Sequence, residues 1–228
     1  MRVWIVGSDY IWFVTYLATD SILPPDPEGL EVLHDREYRV RAYRMSSDRI
    51  LIRGAVRDQK PPGLYLRADP EPMTIHHMQV SLEIAFPALE ILAVTVDFER
   101  HPRDECPAIV GHYQNLIGLS IARGFTHKVR ELFGGPRGCT HTTALLQAMA
   151  PVGMQCFYSM KAAEAKRTGA PEAMLDPRRT EDPMWRRTIG TCHVWDADGD
   201  AVKSREAGNI EPAPIFIRKR LQELGLSD

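Results

Sequence analysis

Several familiar signatures are missing from the sequence, and each absence excludes a class of protein. There is no phosphate-binding loop and no dinucleotide-binding fingerprint, because Gly134, Gly135 and Gly138 follow a predicted helix and not a strand. The four cysteines are widely spaced and form no Cys-x-x-Cys pair, unlike the disulfide framework of a small secreted domain. We therefore predict free thiols in a reducing, cytoplasmic compartment.

Neither charge nor hydrophobicity is concentrated in the chain. With 28 basic and 30 acidic residues, no overall field attracts nucleic acid or an anionic membrane, so we expect a small-molecule substrate and neither of those partners. The apolar residues 3–18 are too few, and too interrupted by a Gly-Ser-Asp sequence, for a membrane span. We interpret them as a strand or hairpin packed on the domain or on a second subunit of a homo-oligomer. A mistaken start codon is the alternative.

The chain is predicted to be a single domain. It comprises, in order, an apolar extension and Pro-rich linker (1–30), a core (31–160), a long loop rich in charge and proline (165–189) and a C-terminal strand and helix (190–228). No internal repeat is evident.

The first half of the core shows strand patterns. Strands are predicted over residues 38–44, 50–58, 73–84 and 91–98. In the third of these, His76 alternates in step with Met78 and Val80, so its side chain is expected to face the core, whereas His77 faces solvent. Four such strands suggest an antiparallel sheet.

The second half changes to helical periodicity. Helices are predicted over residues 105–116 and 125–133, from Thr140 onward with a kink at Pro151, and over 217–224. A further strand is predicted over residues 189–195. Because the main run of strands precedes the helices without βαβ alternation, we expect an α+β fold in which an N-terminal antiparallel sheet packs against C-terminal helices.

The most unusual segment is a Gly-Cys-Thr-His sequence at residues 138–141, which brings Cys139 and His141 to the start of a helix. Free amides and the helix dipole stabilise an anion there, so the thiol of Cys139 is a candidate for a lowered pKa. A substrate carboxylate or oxyanion would suit the same place. The alternative is that Cys139 is only a small buried residue.

Two further positions are candidates. His76 lies on an otherwise apolar strand face, where its ring nitrogens need a hydrogen bond or a ligand. Cys192 and His193 point to opposite faces of the predicted late strand, so at most one of them can join an interior site. Asp58 and Lys60 look like an ordinary surface ion pair.

These residues allow two mechanisms. In the first, zinc or iron is held by three or four of His76, Cys139, His141 and Cys192, although their spacing matches no standard zinc motif. In the second, no metal takes part. Cys139 is then the nucleophile, or one of the two histidines is a general base, and Asp97 or Tyr113 orients that base or donates a proton.

Over residues 35–160 the sequence resembles the bacterial family DUF2889. The pieces that carry the resemblance are Asp-Gln-Lys at 58–60, Ile-His-His-Met at 75–78, Asp97, Cys-Pro at 106–107, residues 118–125 and Gly-Cys-Thr-His at 138–141, followed outside this range by Thr-Cys-His at 191–193. The family pattern is Ile-His-Asp-Met, so His77 stands here in place of an aspartate. The resemblance implies a small bacterial cytoplasmic protein from the catabolism of aromatic or acyl compounds.

Two classes of function remain. The leading hypothesis is a lyase or hydrolase that acts on an aromatic or acyl metabolite by Cys/His chemistry, with or without a divalent metal. The competing hypothesis is a non-catalytic small-molecule binding or assembly protein in which the same residues are structural.

Overall fold

The computed structural model describes residues 22–122, 124–169, 183–209 and 214–226. The predicted strand or hairpin at 3–18 lies outside these residues, as does the middle of the predicted loop. The chain divides at Leu33 into two compact units. The described part of the first, residues 22–33, has no helix or strand and makes one turn, where the amide of Leu30 donates to the carbonyl of Pro27 at 3.4 Å.

The second unit begins with four antiparallel strands in one sheet. They are β1 (Asp35–Arg44), β2 (Arg49–Lys60), β3 (Met73–Ala85) and β4 (Ile91–Arg100), and each pairs with its neighbour along the chain in the order β1-β2-β3-β4. All four predicted strands are confirmed, with each running one to three residues further at one end or both.

Alternation along these strands gives the sheet one buried and one open face. Most residues that face inward are apolar and buried, namely Ile50, Ile52, Val56, Met78, Val80, Leu82, Ile84, Val94, Val96 and Phe98. Polar residues occupy the other face, as is common in antiparallel sheets. His76 and His77 fall on the inner and outer faces respectively, as predicted.

The inner face is covered by the helices that follow. A 3-10 helix (Cys106–Leu116) packs on β4, and α1 (Phe125–Phe133) leads through a short 3-10 turn (Gly135–Arg137) into α2 (Thr140–Arg167), which crosses β1 to β3. Helix α2 approaches β2 so closely that a Cβ at Gly54 would lie 2.8 Å from the sulfur of Met149. The α+β prediction is confirmed.

The helix predicted over 105–116 is present as a 3-10 helix. One boundary differs from prediction, because α2 continues through Pro151 to Arg167, into what was predicted as loop. The apolar residues of α2 that face the sheet, such as Leu145, Met149 and Phe157, are buried on both sides of the proline. Packing therefore holds the helix together where the proline removes one hydrogen bond.

The C-terminal region is helical. It contains 3-10 helices at Pro183–Thr188 and His193–Trp195, then α3 (Asp200–Glu206) and α4 (Ile215–Glu223). The strand predicted over 189–195 is wrong. Gly190 has a φ of +75°, which turns the chain, and its amide bonds the carbonyl of Trp195 at 2.7 Å. Among the described residues, no helix has the length and apolar character needed to cross a membrane.

Candidate active site

A polar row crosses the inner face at one end of the sheet. Arg36 of β1 is the cross-strand partner of Asp58 of β2, and Asp58 is in turn the partner of His76 of β3. The pairing of β2 with β3 shifts register between Asp58 and Gln59. Such irregularities re-aim side chains, and they occur often beside functional sites.

Asp58 is the centre of this row. Its side chain is 1% exposed, and its carboxylate accepts hydrogen bonds from Arg36 Nε at 2.5 Å and Arg36 Nη2 at 2.7 Å. Oδ2 also lies 3.1 Å from His76 Nδ1, and Oδ1 lies 3.4 Å from His34 Nε2. The prediction that Asp58 forms an ordinary surface ion pair is therefore wrong.

Helix α2 and the residue that precedes it add an imidazole and a thiol to the row. His141, in its first turn, places Nε2 2.9 Å from Asp58 Oδ2, and its ring stacks on that of His76 with centroids 4.0 Å apart. The other nitrogen of His141, Nδ1, lies 3.7 Å from Cys139 Sγ. Asp58, His141 and Cys139 thus form a continuous line in which the imidazole touches both other groups.

The backbone before α2 determines where Cys139 sits. A Cβ at Gly138 would lie 2.5 Å from the carbonyl oxygen of Phe133, so only glycine fits this close approach. The amide of Cys139 then donates to the hydroxyl of Tyr113 at 2.8 Å. Tyr113 is fully buried, which anchors the start of α2 to the 3-10 helix Cys106–Leu116.

The surroundings of Asp58 keep it ionised. Burial alone would raise the pKa of this carboxyl, but the hydrogen bonds and positive charge of Arg36 outweigh burial and hold the pKa well below its usual range. An ionised carboxylate only accepts hydrogen bonds, so His76 Nδ1 and His141 Nε2 must both carry protons.

Cys139 and His141 shift each other's ionisation. Burial opposes the thiolate, but the imidazole of His141 and the amides of His141 and Thr142 favour it, so the pKa of Cys139 is lowered. The side chain of Cys139 makes no capping hydrogen bond, so these amides stabilise the thiolate through the electrostatic field at the start of the helix. Contact with Cys139 raises the pKa of His141. Burial, followed by the charge of His141, lowers the pKa of His76.

A divalent cation is the other group that this arrangement could hold. One ligand atom each from Asp58, His76 and His141 lie within 4.8 Å of one another, and carboxylate with imidazole suits zinc or iron. The guanidinium of Arg36 already takes both oxygens of Asp58, which places a positive charge beside any such cation. The metal hypothesis stays a prediction.

The remaining predicted residues are placed apart from this cluster, with one exception. Asp97 is exposed on the outer face of β4, whereas Tyr113 contacts Cys139 through the hydrogen bond above. Cys192 is exposed, and it immediately precedes the 3-10 helix His193–Trp195. It is absent from the cluster of ligand atoms found among the described residues, as is Cys139.

Sequence reasoning missed Asp58 and Arg36 as site residues. A signal for Asp58 was present, because it continues the inward alternation of Ile52 and Val56 and so had to be a buried carboxylate. Arg36 could be found only from the register that pairs β1 with β2.

The chain matches one family model. That family is described as "Protein of unknown function (DUF2889)", and the match covers residues 34–155, more than half of the 228 residues. It includes every residue of the cluster, from His34 through Arg36, Asp58 and His76 to His141. The searches of curated proteins and of solved structures gave no match.

Proposed function

The chain belongs to the DUF2889 family, and we propose that it is a thiol-dependent hydrolase of a small acyl compound, an ester or a thioester, with Cys139 as nucleophile. His141 is the base that ionises Cys139, and Asp58 orients His141. This choice narrows the broader class of lyase or hydrolase to acyl transfer, which is the chemistry that a nucleophile, a base and an orienting carboxylate commonly perform.

One observation carries the proposal. His141 joins the thiol to the buried carboxylate, with Nδ1 3.7 Å from Cys139 Sγ and Nε2 2.9 Å from Asp58 Oδ2. Because Asp58 fixes the proton of neutral His141 on Nε2, the lone pair of Nδ1 faces the thiol. The imidazole is therefore in the right tautomer to accept the thiol proton.

The reaction would begin with the thiolate of Cys139 attacking the carbonyl carbon of the substrate. The amides at the start of α2 stabilise the negative oxygen that develops, because they have no partner within the helix. The imidazolium of His141 then gives its proton to the leaving group, and an acyl thioester remains on Cys139. Water completes the hydrolysis.

Alkylation of Cys139 by iodoacetamide tests the proposal without knowledge of the substrate. We expect the rate, followed by mass spectrometry of the Cys139 peptide, to inflect at a pH below the ordinary thiol value of about 8.5. In His141→Ala the inflection should move to higher pH, whereas the matched control His77→Ala should leave it unchanged. An ordinary inflection in the wild type, or none of this shift in His141→Ala, would contradict the thiolate mechanism.

Elemental analysis of the purified protein separates this mechanism from a metal-dependent one. A stoichiometric zinc or iron that is lost in His76→Ala and retained in His77→Ala would favour metal-assisted chemistry at Asp58, His76 and His141. The binding-protein alternative would be favoured if Cys139→Ser left ligand binding and all measurable reactivity with activated esters intact.

A further inference from the structure

Two histidines share the carboxylate of Asp58, but only one of them reaches the thiol. His141 and His76 each bond Oδ2, at 2.9 and 3.1 Å, and their rings are stacked. The second nitrogen of His141 faces Cys139 Sγ. The second nitrogen of His76, Nε2, has no hydrogen-bond partner among the described residues. The side chain of His76 is 20% exposed.

The hydrogen bonds fix which nitrogen of His76 is basic. Asp58 is held ionised by two hydrogen bonds from Arg36, so it can only accept, and Nδ1 of His76 must donate. In the neutral ring this leaves the lone pair on Nε2. His76 therefore has a basic nitrogen that no described residue bonds, on a ring that stacks against His141 with centroids 4.0 Å apart.

We propose that His76 is the base for the second half of the reaction, in which Nε2 takes a proton from the acceptor that removes the acyl group from Cys139. This inference rests on the proposed hydrolase function. It assigns separate roles to the two histidines. His141 accepts the proton of the thiol, and His76 accepts the proton of the water or small hydroxyl acceptor. The substrates are then acyl donors whose acyl group passes through a Cys139 thioester.

The step balances without any further reactant. The water oxygen bonds the carbonyl carbon while one water proton moves to His76 Nε2. The carbon–sulfur bond then breaks, and its electron pair returns to Cys139 as thiolate. The carboxylic acid released gives its proton to neutral His141, which restores the imidazolium beside the thiolate, and His76 loses its proton to solvent.

His76→Asn is the variant that isolates this role. The asparagine amide nitrogen lies near the position of Nδ1 and can still donate to Asp58, but nothing replaces the base at Nε2. The probe is p-nitrophenyl acetate, which acetylates reactive thiolates. Wild-type and variant proteins would be mixed with it, the release of p-nitrophenolate followed, and acetyl-Cys139 measured over time by mass spectrometry.

In His76→Asn we expect the loss of the acetyl group to slow on the order of 100-fold, the lower range for removal of a general base, and by far more than acetylation itself slows. His77→Asn is the matched control and should behave like the wild type. His76→Gln, which loses the donor to Asp58, serves as a second variant, and circular dichroism checks that each variant is folded.

The outcomes distinguish the two proposals. If Cys139 of the wild type is not acetylated, the thiol-dependent hydrolase function is wrong. If Cys139 is acetylated but the acetyl group is lost equally fast from wild type, His76→Asn and His76→Gln, the role of His76 alone is wrong.

Discussion

His76 and His77 are adjacent in the chain, and each places Nδ1 close to a carboxylate, at 3.1 Å from Asp58 and 2.9 Å from Glu99. The two carboxylates nevertheless lie in opposite environments. Asp58 is 1% exposed on the inner face of the sheet, whereas Glu99 is 45% exposed on the outer face. Distance alone therefore does not separate a functional pair from a surface pair. Burial and the other partners of the carboxylate do.

The partners differ as much as the burial. Asp58 collects side chains from β1, β3 and α2, so its position depends on several elements at once. Glu99 bonds His77 and Gln79, both from the neighbouring strand. The outer face also has a shallow depression near His77, but its two arginines, Arg39 and Arg57, are already paired with Glu37. We therefore place the proposed chemistry on the inner face.

The largest difference is expected between Asp58→Asn and Glu99→Gln. Asp58→Asn leaves the charge of Arg36 without its partner, and we expect a loss of roughly 2–4 kcal/mol in the free energy of unfolding. This is somewhat less than for a fully buried pair, because Arg36 is 40% exposed. Glu99→Gln should change it by less than about 1 kcal/mol. Urea denaturation at neutral pH measures both, and equal losses would contradict the comparison.

Gly138→Ala tests whether the inner site depends on the backbone that carries Cys139. An added Cβ would meet the carbonyl oxygen of Phe133 at 2.5 Å, so the start of α2 must move. We expect a loss of about 1–3 kcal/mol in stability and slower alkylation of Cys139. Gly111→Ala is the control, because a Cβ there has no neighbour within 4 Å. If Cys139 is alkylated equally fast in the two variants, its reactivity does not depend on the close approach of Gly138 to Phe133.

The pH dependence of the Asp58 effect sharpens the same contrast. The pKa of Asp58 is lower in the folded protein than in the unfolded chain, so its contribution is present above the unfolded value of about 4 and is lost as the pH falls below it. The stability gap between wild type and Asp58→Asn should narrow from about pH 5 towards about pH 2. The titratable groups that face Asp58 are His34, Arg36, His76 and His141. A gap independent of pH would mean that the carboxylate does not stabilise the fold by its charge.

Local patterns were enough to predict the sheet and the inward direction of His76. Period-two alternation sets the face of each side chain without any knowledge of the rest of the fold. The same alternation identifies Asp58 as inward-facing, but its neighbours Gln59 and Lys60 made it look like the polar end of a strand. The strand continues to Lys60, so alternation along the strand determines where the Asp58 side chain points, and the polarity of its neighbours does not.

The other parts of the site depend on long-range geometry. Arg36 meets Asp58 only through the register of β1 with β2, and His141 reaches it across 83 residues of sequence. Neither relation leaves a periodic signal. The late strand was predicted from the apolar residues of 189–195, but turn formation at Gly190 determined the structure of that segment.

The smallest effect is expected for His77→Asn, and it is the one that most directly tests whether adjacency matters. His77 is next to a proposed catalytic residue and replaces the aspartate expected in the family pattern, yet its side chain points to the opposite face. Glu99 is 45% exposed and His77 is 21% exposed, so water screens their contact and its removal should change stability by less than about 0.5 kcal/mol. Alkylation of Cys139 should keep its rate and its pH profile. A clear change in either would mean that the two faces of β3 are coupled through the strand, and that the outer pair contributes to the site.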